Sequence, residues 1–460
     1  MAISLDGIAS GLDTAELIAS LMDIERIPQT LLQNRVTATE TKITDFQSLN
    51  AKLASLATLA TTTSGSDSLQ KFSAKSNTSA LTVSAGMGAA PGSLDVTVTQ
   101  LAQAQTSVLA PLTEWPSTPP VLTIVGADGT ATEITAASSS LSDVVTAINS
   151  SAAGIVATRV AAGINGEGVP QYRLQLVSAQ SGVDGAFSVY SGTADEVAAK
   201  TAPDLLSASG AATVRSAQDA TITLWAGTPA EQVITSSSNT FTDILPGVTV
   251  TASALTTDPA TVTVTRDAAA ATAVMSSLVD SLSTTLGLID AKTATTQTTD
   301  ATGKEVTGLG SFTSDSLIRS IRANLVSAIT DSVDGHSAAE IGLSVDKKGS
   351  VTFDSDRFAA ALKENPALVE SIVAAVSTRV AAASTSASSS TGSLTAKITG
   401  AESSVSSLTE QVERWDTRLE NREAILARTY AALEVSMGKL NSQQAYLTSQ
   451  LDALAASKND

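Results

Sequence analysis

The chain contains no cysteine, which excludes disulfides and thiolate metal sites. It contains one histidine, His336. A metal site built on several histidines is therefore excluded within one chain, and a histidine-dependent triad would have to use that residue. Aromatic residues make up 3% of the sequence, too few to line an aromatic cofactor cavity. Positive charge is scarce: 27 Lys and Arg stand against 45 Asp and Glu, a formal net charge of −18. Such a chain is repelled by DNA, RNA and anionic lipid, which bind through clustered Lys and Arg, so neither nucleic acid nor membrane is an expected partner. No uninterrupted apolar run reaches the roughly 18 residues of a transmembrane helix. The opening MAISLDGIASGLDTAELI has no basic start and carries Asp6, Asp13 and Glu16, so it does not read as a Sec signal peptide. Lack of cysteine suits an exported protein, and lack of a Sec signal suits a cytosolic one. A dedicated export route satisfies both.

What the chain does have is small and aliphatic. Hydrophobic residues make up 43%, with Ala, Ser and Thr prominent. That suits long helices and sandwich-like strands. At roughly 150 residues per domain, 460 residues predict about three domains.

Both ends read as helix. Asp13 and Glu16 have capping-box spacing, with Leu17, Ile18, Leu21, Met22 and Ile24 following at helical intervals. Pro28 is expected to stop or kink that helix. A second stripe, Leu32, Val36, Ile43, Phe46, Leu49, Leu53 and Leu56, fades in the stretch Thr61 to Ser68. At the other end, Val405, Leu408, Val412, Trp415, Leu419, Arg422 and Leu426 step by three and four. Tyr430, Leu433, Met437, Leu440, Gln444, Leu447, Leu451 and Leu454 do the same. The interval from Leu419 to Tyr430 contains a four-residue stutter, which locally relaxes a left-handed supercoil. At about 1.5 Å per residue this helix is about 80 Å long. It packs either on its own domain or as a coiled coil, within one chain or between subunits.

The middle changes period. Leu94, Val96 and Val98 alternate with polar residues, as do Ile222 with Leu224, Val248 with Val250, and Val262 with Val264. Tyr172–Val177 and Phe187–Tyr190 read the same way, with a helix over Leu141–Ile148. Trp115-Pro116 and Pro119-Pro120 mark an internal boundary. Helices return with Val274, Leu278, Leu282, Leu286 and Ile289, then Leu317, Ile318, Ile321, Leu325 and Ile329. Ile341–Phe353 reads as a hairpin turning at Asp346–Gly349, and Asn365-Pro366 has the form that opens a helix. The low-complexity run Ala381–Gly392 is either a flexible linker or a poorly packed helix continuation.

The fold class is α+β multidomain, with terminal helices forming a coiled-coil stalk and nested β-rich head domains inserted between them. Residues 1–45 with 400–460 form a terminal helical leg. Residues 46–75 with 266–399 form a helical stalk domain carrying a β-hairpin. Residues 76–110 with 216–265 form one β-rich head domain, and 111–215 a second inserted in the first.

Catalytic signals fail. There is no Walker A motif, dinucleotide fingerprint, G-x-S-x-G elbow or EF-hand loop. Gly163–Gly168 is glycine-rich but lies between strand patterns, so it reads as a hairpin loop. His336 follows Asp334-Gly335 in a turn. Asp354 and Asp356 read as a helix N-terminus before Phe358. Asn77-Thr78-Ser79 and Asn149-Ser150-Ser151 match a glycosylation pattern too common to weigh. The expectation is a non-enzyme with no catalytic residue, cofactor or metal.

At this point the residues resemble a family. MAISLDGIASGLDTAELIASLMDIERIP is similar to the N-terminus of the flagellar hook-associated protein 2 family, the bacterial filament cap proteins. Gly92–Gln105 resembles its "GsY.i.V.qLAqaq" segment and Ser238–Val250 its "SN.itd.ipGvtl" segment. Leu141–Ile164 is similar to a motif shared with flagellins and hook-associated proteins. Ile341–Phe353 with Asn365-Pro366 resembles the family's last hairpin and helix, and Leu433–Leu454 its C-terminus. The family's usual "FV..YN" is here Ser277–Leu282, a departure that bears on packing at the stalk base.

The resemblance implies a non-enzymatic ring, commonly a pentamer, at the filament tip. Its terminal helices are legs, partly disordered in the monomer, and its β domains are a plate. Such a cap retains exported flagellin and promotes its folding and insertion. The implied partners are further copies of the chain, flagellin, the hook-associated proteins and a cytosolic export chaperone at the C-terminal region. The implied location is extracellular, reached through the flagellar type III apparatus without a cleaved signal peptide. The expected assembly interface comprises Leu5, Ile8, Leu12, Leu17, Leu21, Leu433, Met437, Leu440, Leu447, Leu451 and Leu454. The alternatives are another axial protein (hook–filament junction protein or flagellin) or a surface adhesin. The adhesin reading leaves the paired helical ends unexplained.

Overall fold

A computed structural model describes Gly11, residues 13–299 and residues 303–456. Helix α1 (Thr14–Thr63) comes first. A β-rich stretch follows in the order β1 (Phe72–Ser76), β2 (Leu81–Ala85), β3 (Gly92–Gln100), β4 (Thr106–Val108), β5 (Val121–Gly126) and β6 (Ala131–Thr135). It continues with α2 (Leu141–Asn149), β7 (Ile155–Ile164), β8 (Pro170–Ser178), β9 (Phe187–Ser191), α3 (Ala194–Ala198) and β10 (Ala212–Arg215). Then come β11 (Ala220–Leu224), β12 (Gln232–Ser236), β13 (Thr240–Thr242), β14 (Val248–Ala252) and β15 (Ala260–Arg266). Helices return with α4 (Ala268–Thr293), the ribbon β16 (Thr295–Thr299) and β17 (Glu305–Leu309), and α5 (Ser316–Thr330). The hairpin β18 (Leu343–Val345) and β19 (Val351–Phe353) precedes α6 (Ser355–Glu364), α7 (Pro366–Ser388) and α8 (Ser393–Ala456). The chain forms two compact units, Gln70–Ala270 and the helical remainder on either side of it. This is the multidomain α+β arrangement expected from the periodicities.

The β unit contains two cores. In the first, the antiparallel sheet β1-β15-β3-β11-β12 and the sheet β13-β14-β2 share one interior. Leu94, Val96, Val98, Ile222, Leu224, Val262 and Val264 enter it from the larger sheet, and Phe241, Val248 and Val250 from the smaller. The period-two alternation decides this, because alternate side chains of a strand point to opposite faces. The second core lies among sheets β10-β4-β8-β7 and β6-β5-β9 and helix α2, and it buries Trp115, Leu122, Ile124, Val144, Ile148, Leu174 and Leu176. Its residues all fall between β3 and β11, which are neighbours in the first sheet. The second module is thus nested in the first, and both chain crossings are adjacent. Gln103 N donates to Gln218 O at 2.9 Å, and Gln218 N returns a bond to Gln103 O.

The helical unit is built on α1. Asp13 caps it, its Oδ1 accepting from Glu16 N at 2.9 Å. Pro28 neither stops nor divides the helix, which runs unbroken through it. Phe46, Leu49, Leu53, Leu56 and Ala60 are buried, with Leu278, Leu282 and Leu286 of α4, Ile318 and Leu325 of α5, and Val369, Ile372 and Val376 of α7. Within Ala381–Gly392, helix α7 continues to Ser388, so the helix-continuation alternative holds there, and burial of Ser384 and Ala387 packs it better than expected. By length and composition, α4 and the stretch Pro366–Ala453 contain windows apolar enough to cross a membrane. Alanine supplies much of that apolarity, and the larger residues of α4 and α7 point into the helical core.

Candidate assembly interface

Helices α1 and α8 pair antiparallel. Gln47 Nε2 donates to Glu402 Oε1 at 3.5 Å, Gln29 Nε2 donates to Asp416 Oδ1, and Arg422 meets Glu25 at 3.5 Å. As the α1 numbers fall, the α8 numbers rise. Along α1, Ile18, Met22, Glu25, Gln29, Leu32, Val36, Thr39, Ile43 and Phe46 form one line of buried and half-buried positions. They alternate by four and three, the seam of two packed helices. On α8, Val405, Leu408, Val412, Trp415, Leu419, Leu426 and Tyr430 form the corresponding line.

Two apolar lines lie outside this seam. The first is one residue out of step with it on α1, where Leu17, Ile24 and Leu31 are exposed and Leu21 is half-buried, with Ile27 exposed beside it. The second lies on α8. After Tyr430 the buried line passes to Glu434, which is 5% exposed, whereas Leu433 is 45% exposed. After Tyr430 the leucines thus leave the buried side. Leu440, Leu447 and Leu451 are each about 60% exposed or more, and Met437 is half-buried. The register also carries α8 past the start of α1. Extrapolated from the Glu25–Arg422 pair, Thr14 lies level with about residue 433, leaving some 20 residues of α8, about 30 Å, beyond it.

Of the expected interface residues, Leu17, Leu433, Leu440, Leu447 and Leu451 are therefore exposed, and Leu21 and Met437 half-exposed. Leu5, Ile8, Leu12 and the side chain of Leu454 lie outside the described residues. Ile24, Ile27 and Leu31, also exposed, are not among the expected residues. Leu17, Leu21, Ile24, Pro28 and Leu31 also step by four and three, a spacing that includes Ile24 and Leu31 but not Ile27.

The other singled-out residues have local roles. Gly163–Gly168 belongs to the β7–β8 hairpin, where Asn165 Oδ1 accepts from Glu167 N and Val169 N. His336 lies in an exposed turn, with Nδ1 2.9 Å from Glu340 Oε2. Bonds from the Ser337 backbone and then from His336 hold the Glu340 pKa below its ordinary value. Asp354 caps α6, accepting from Asp356 N and Arg357 N. Asn149 is tied at both ends of its amide to Ala157, a structural role. Among the described residues no group of three or more His, Cys, Asp or Glu is placed to hold a metal ion.

Comparisons with known proteins agree on one family. Residues 10–105 match "Flagellar hook-associated protein 2 N-terminus" and residues 217–442 match "Flagellar hook-associated protein 2 C-terminus". The nested second module falls in the interval between the two matches. The chain is 28% identical to flagellar hook-associated protein 2 of Escherichia coli strain K12, over 99% of each chain. It is also 28% identical to the Salmonella typhimurium protein of that name over 230 residues, 47% of this chain and 48% of that one. A crystal structure of the flagellar cap protein FliD from Escherichia coli, domains D1-D2-D3, superposes with a TM-score of 0.59 at 25% identity. That match covers 78% of this chain and 99% of the other. Paired terminal helices, a nested pair of β modules and matches at both ends under one name converge: the chain belongs to the flagellar hook-associated protein 2 family, the cap proteins of the bacterial flagellum.

Proposed function

We propose that this chain caps the growing flagellar filament as a ring of identical copies, five being common in the family, and retains exported flagellin while it folds and inserts. The observation that carries the reading is the leucine face of α8 beyond α1. Each Leu or Ile hidden on assembly contributes about 1.5–3 kcal/mol, against the cost of ordering the chain around it. Leu433, Leu440, Leu447 and Leu451, with Leu17 and Leu21 on α1, offer that gain only if another helix covers them. Leu5, Ile8, Leu12, Met437 and Leu454 complete the proposed surface, whose occupants are neighbouring copies and the helices of the filament end.

In this reading residues 1–45 with 400–460 are the leg and 46–75 with 266–399 the stalk. Residues 76–110 with 216–265, and 111–215, are the plate over the filament end. The hook-associated proteins are its neighbours before the filament grows, and a cytosolic chaperone covers the C-terminal region before export. Export runs through the flagellar type III apparatus without cleavage of a signal peptide. No catalytic step is required, because retention and templated insertion follow from shape and from covered apolar surface. Immuno-electron microscopy of native filaments tests the assignment. Label confined to the tip is expected, and label at the hook junction or along the filament contradicts it.

A further inference from the structure

Two nested modules joined by a pair of adjacent strands would ordinarily form a hinge, because a two-stranded ribbon twists and bends easily. The ribbon here is short. Between the β3–β11 pairing and the β4–β10 pairing, Gln103 and Gln218 form a single bridge, with Gln218 Nε2 adding a bond to Leu101 O at 2.9 Å. A third connection lies beside it. The loop after β8 brings Ser181, Gly182 and Val183 of the nested module onto the first one. Gly182 N donates to Gln103 O at 3.2 Å, so that this carbonyl accepts from both modules. Val183 N donates to Asp219 Oδ1 at 2.8 Å, and Ser181 Oγ donates to Ser237 O at 2.8 Å. Ser237 lies outside both crossing strands, between β12 and β13.

The close approach has a specific requirement. Gly182 has φ +83°, and a Cβ there would lie 2.5 Å from Ser237 Cα and 2.6 Å from Ser237 O. No L side chain fits without moving the loop or Ser237. The side of Ser237 toward β13 is fixed as well, since Asn239 Oδ1 accepts from Ala102 N at 2.7 Å.

We propose that loop 180–183 is a latch: its docking on Asp219 and Ser237, rather than the crossing strands alone, holds the two β modules at one fixed angle. An off-axis contact removes the bending freedom that a ribbon leaves. The head then moves as one body, and a load applied to the nested module passes to the first module through the latch as well as through the strands.

The chain has no cysteine, so pairs of introduced cysteines can be spin-labelled cleanly in the full-length protein. Ala131→Cys on β6 and Thr263→Cys on β15 place one exposed label in each module. The distance distribution from pulsed electron resonance should be single and narrow. Asp219→Ala removes the acceptor of Val183 N, and Gly182→Ala wedges the loop from Ser237. Either change should broaden or split the distribution while far-ultraviolet circular dichroism is retained. Asp219→Asn keeps an Oδ1 acceptor and should stay narrow. If Gly182→Ala misfolds, the Asp219 pair decides alone. A broad distribution in the parent overturns the proposal. So does an Asp219→Ala distribution as narrow and as centred as the parent's, or an Asn variant as broad as the Ala variant.

Discussion

Asp45 Oδ1 lies 2.8 Å from Lys292 Nζ, which ties the middle of α1 to the last turn of α4. The other carboxylate oxygen accepts from Ser311 Oγ. One residue on, Phe46 stacks on Phe312 with ring centroids 5.3 Å apart. Phe312 N in turn donates to Lys292 O at 2.9 Å. Two consecutive residues of α1 thus hold the base of the β16–β17 ribbon, one by charge and one by ring contact.

Asp45→Ala should therefore destabilise the helical unit. The carboxylate is nearly buried and serves two donors, and deleting such an acceptor costs about 1–3 kcal/mol. Urea unfolding followed by circular dichroism should show a lower midpoint with an unchanged slope.

Acid should loosen the same unit through Asp315. This residue caps α5, with Oδ1 accepting from Leu317 N and Ile318 N, and it pairs with Lys397 of α8. Burial opposes its ionisation. The bond from Lys397, the backbone donors and the lysine charge outweigh burial and hold its pKa below the ordinary 3.8. A carboxyl depressed on folding stabilises above its unfolded value, and that stabilisation is lost as pH falls through the lower folded value. Asp315→Asn keeps the cap but not the ion pair. Its melting temperature should fall relative to the parent at neutral pH, and the gap should close on acidification below pH 3.8. A gap that widens in acid contradicts the assignment.

The strands were legible because their interior faces alternate strictly, as in Leu94, Val96 and Val98, and a shift of one residue would expose all of them. The ribbon β16–β17 was not legible. TTQTT and EVTGL carry no alternation, and the ribbon's Val306 and Leu309 are exposed, so no burial requirement wrote a pattern there. Pro28 does not stop the helix, for a different reason. A proline inside a helix costs about 3 kcal/mol, but that is a local cost, and the neighbouring Gln29–Asp416 contact belongs to a long seam with α8 that outweighs it. At the interface, spacing revealed apolar lines but not which line meets the partner. Leu17-Leu21-Ile24 and Ile18-Met22-Glu25 have the same steps, and only the packed structure separates them.

His336→Ala should leave motility and capping unchanged. The side chain is exposed, and Glu340, which it meets, also bonds the Ser337 backbone. Loss of swimming by a variant with an unaltered melting profile would reveal a role for the imidazole.

Removal of the nested module should leave a folded protein. Its core is separate from that of the first module, and Gln103 and Gln218 already face each other across one bridge. Replacing residues 104–217 by a short Gly/Ser turn should close an ordinary hairpin between β3 and β11. Cooperative melting with the helical signal intact is expected. A molten or aggregated product would mean that the two modules depend on each other to fold.

In the proposed cap the exposed leucines of α8 serve assembly and not the fold of the single chain. The most direct measurement is the partition of flagellin between filaments and medium in cells whose only copy carries Leu447→Asp, alongside thermal melting of the purified variant. Leu447 is 61% exposed, so the aspartate should leave melting unchanged. In an assembled cap the same charge would be buried without a partner, at a cost of several kcal/mol. A normally folded protein, short or absent filaments, and flagellin released into the medium are expected. Filaments of normal length with no released flagellin would contradict that role.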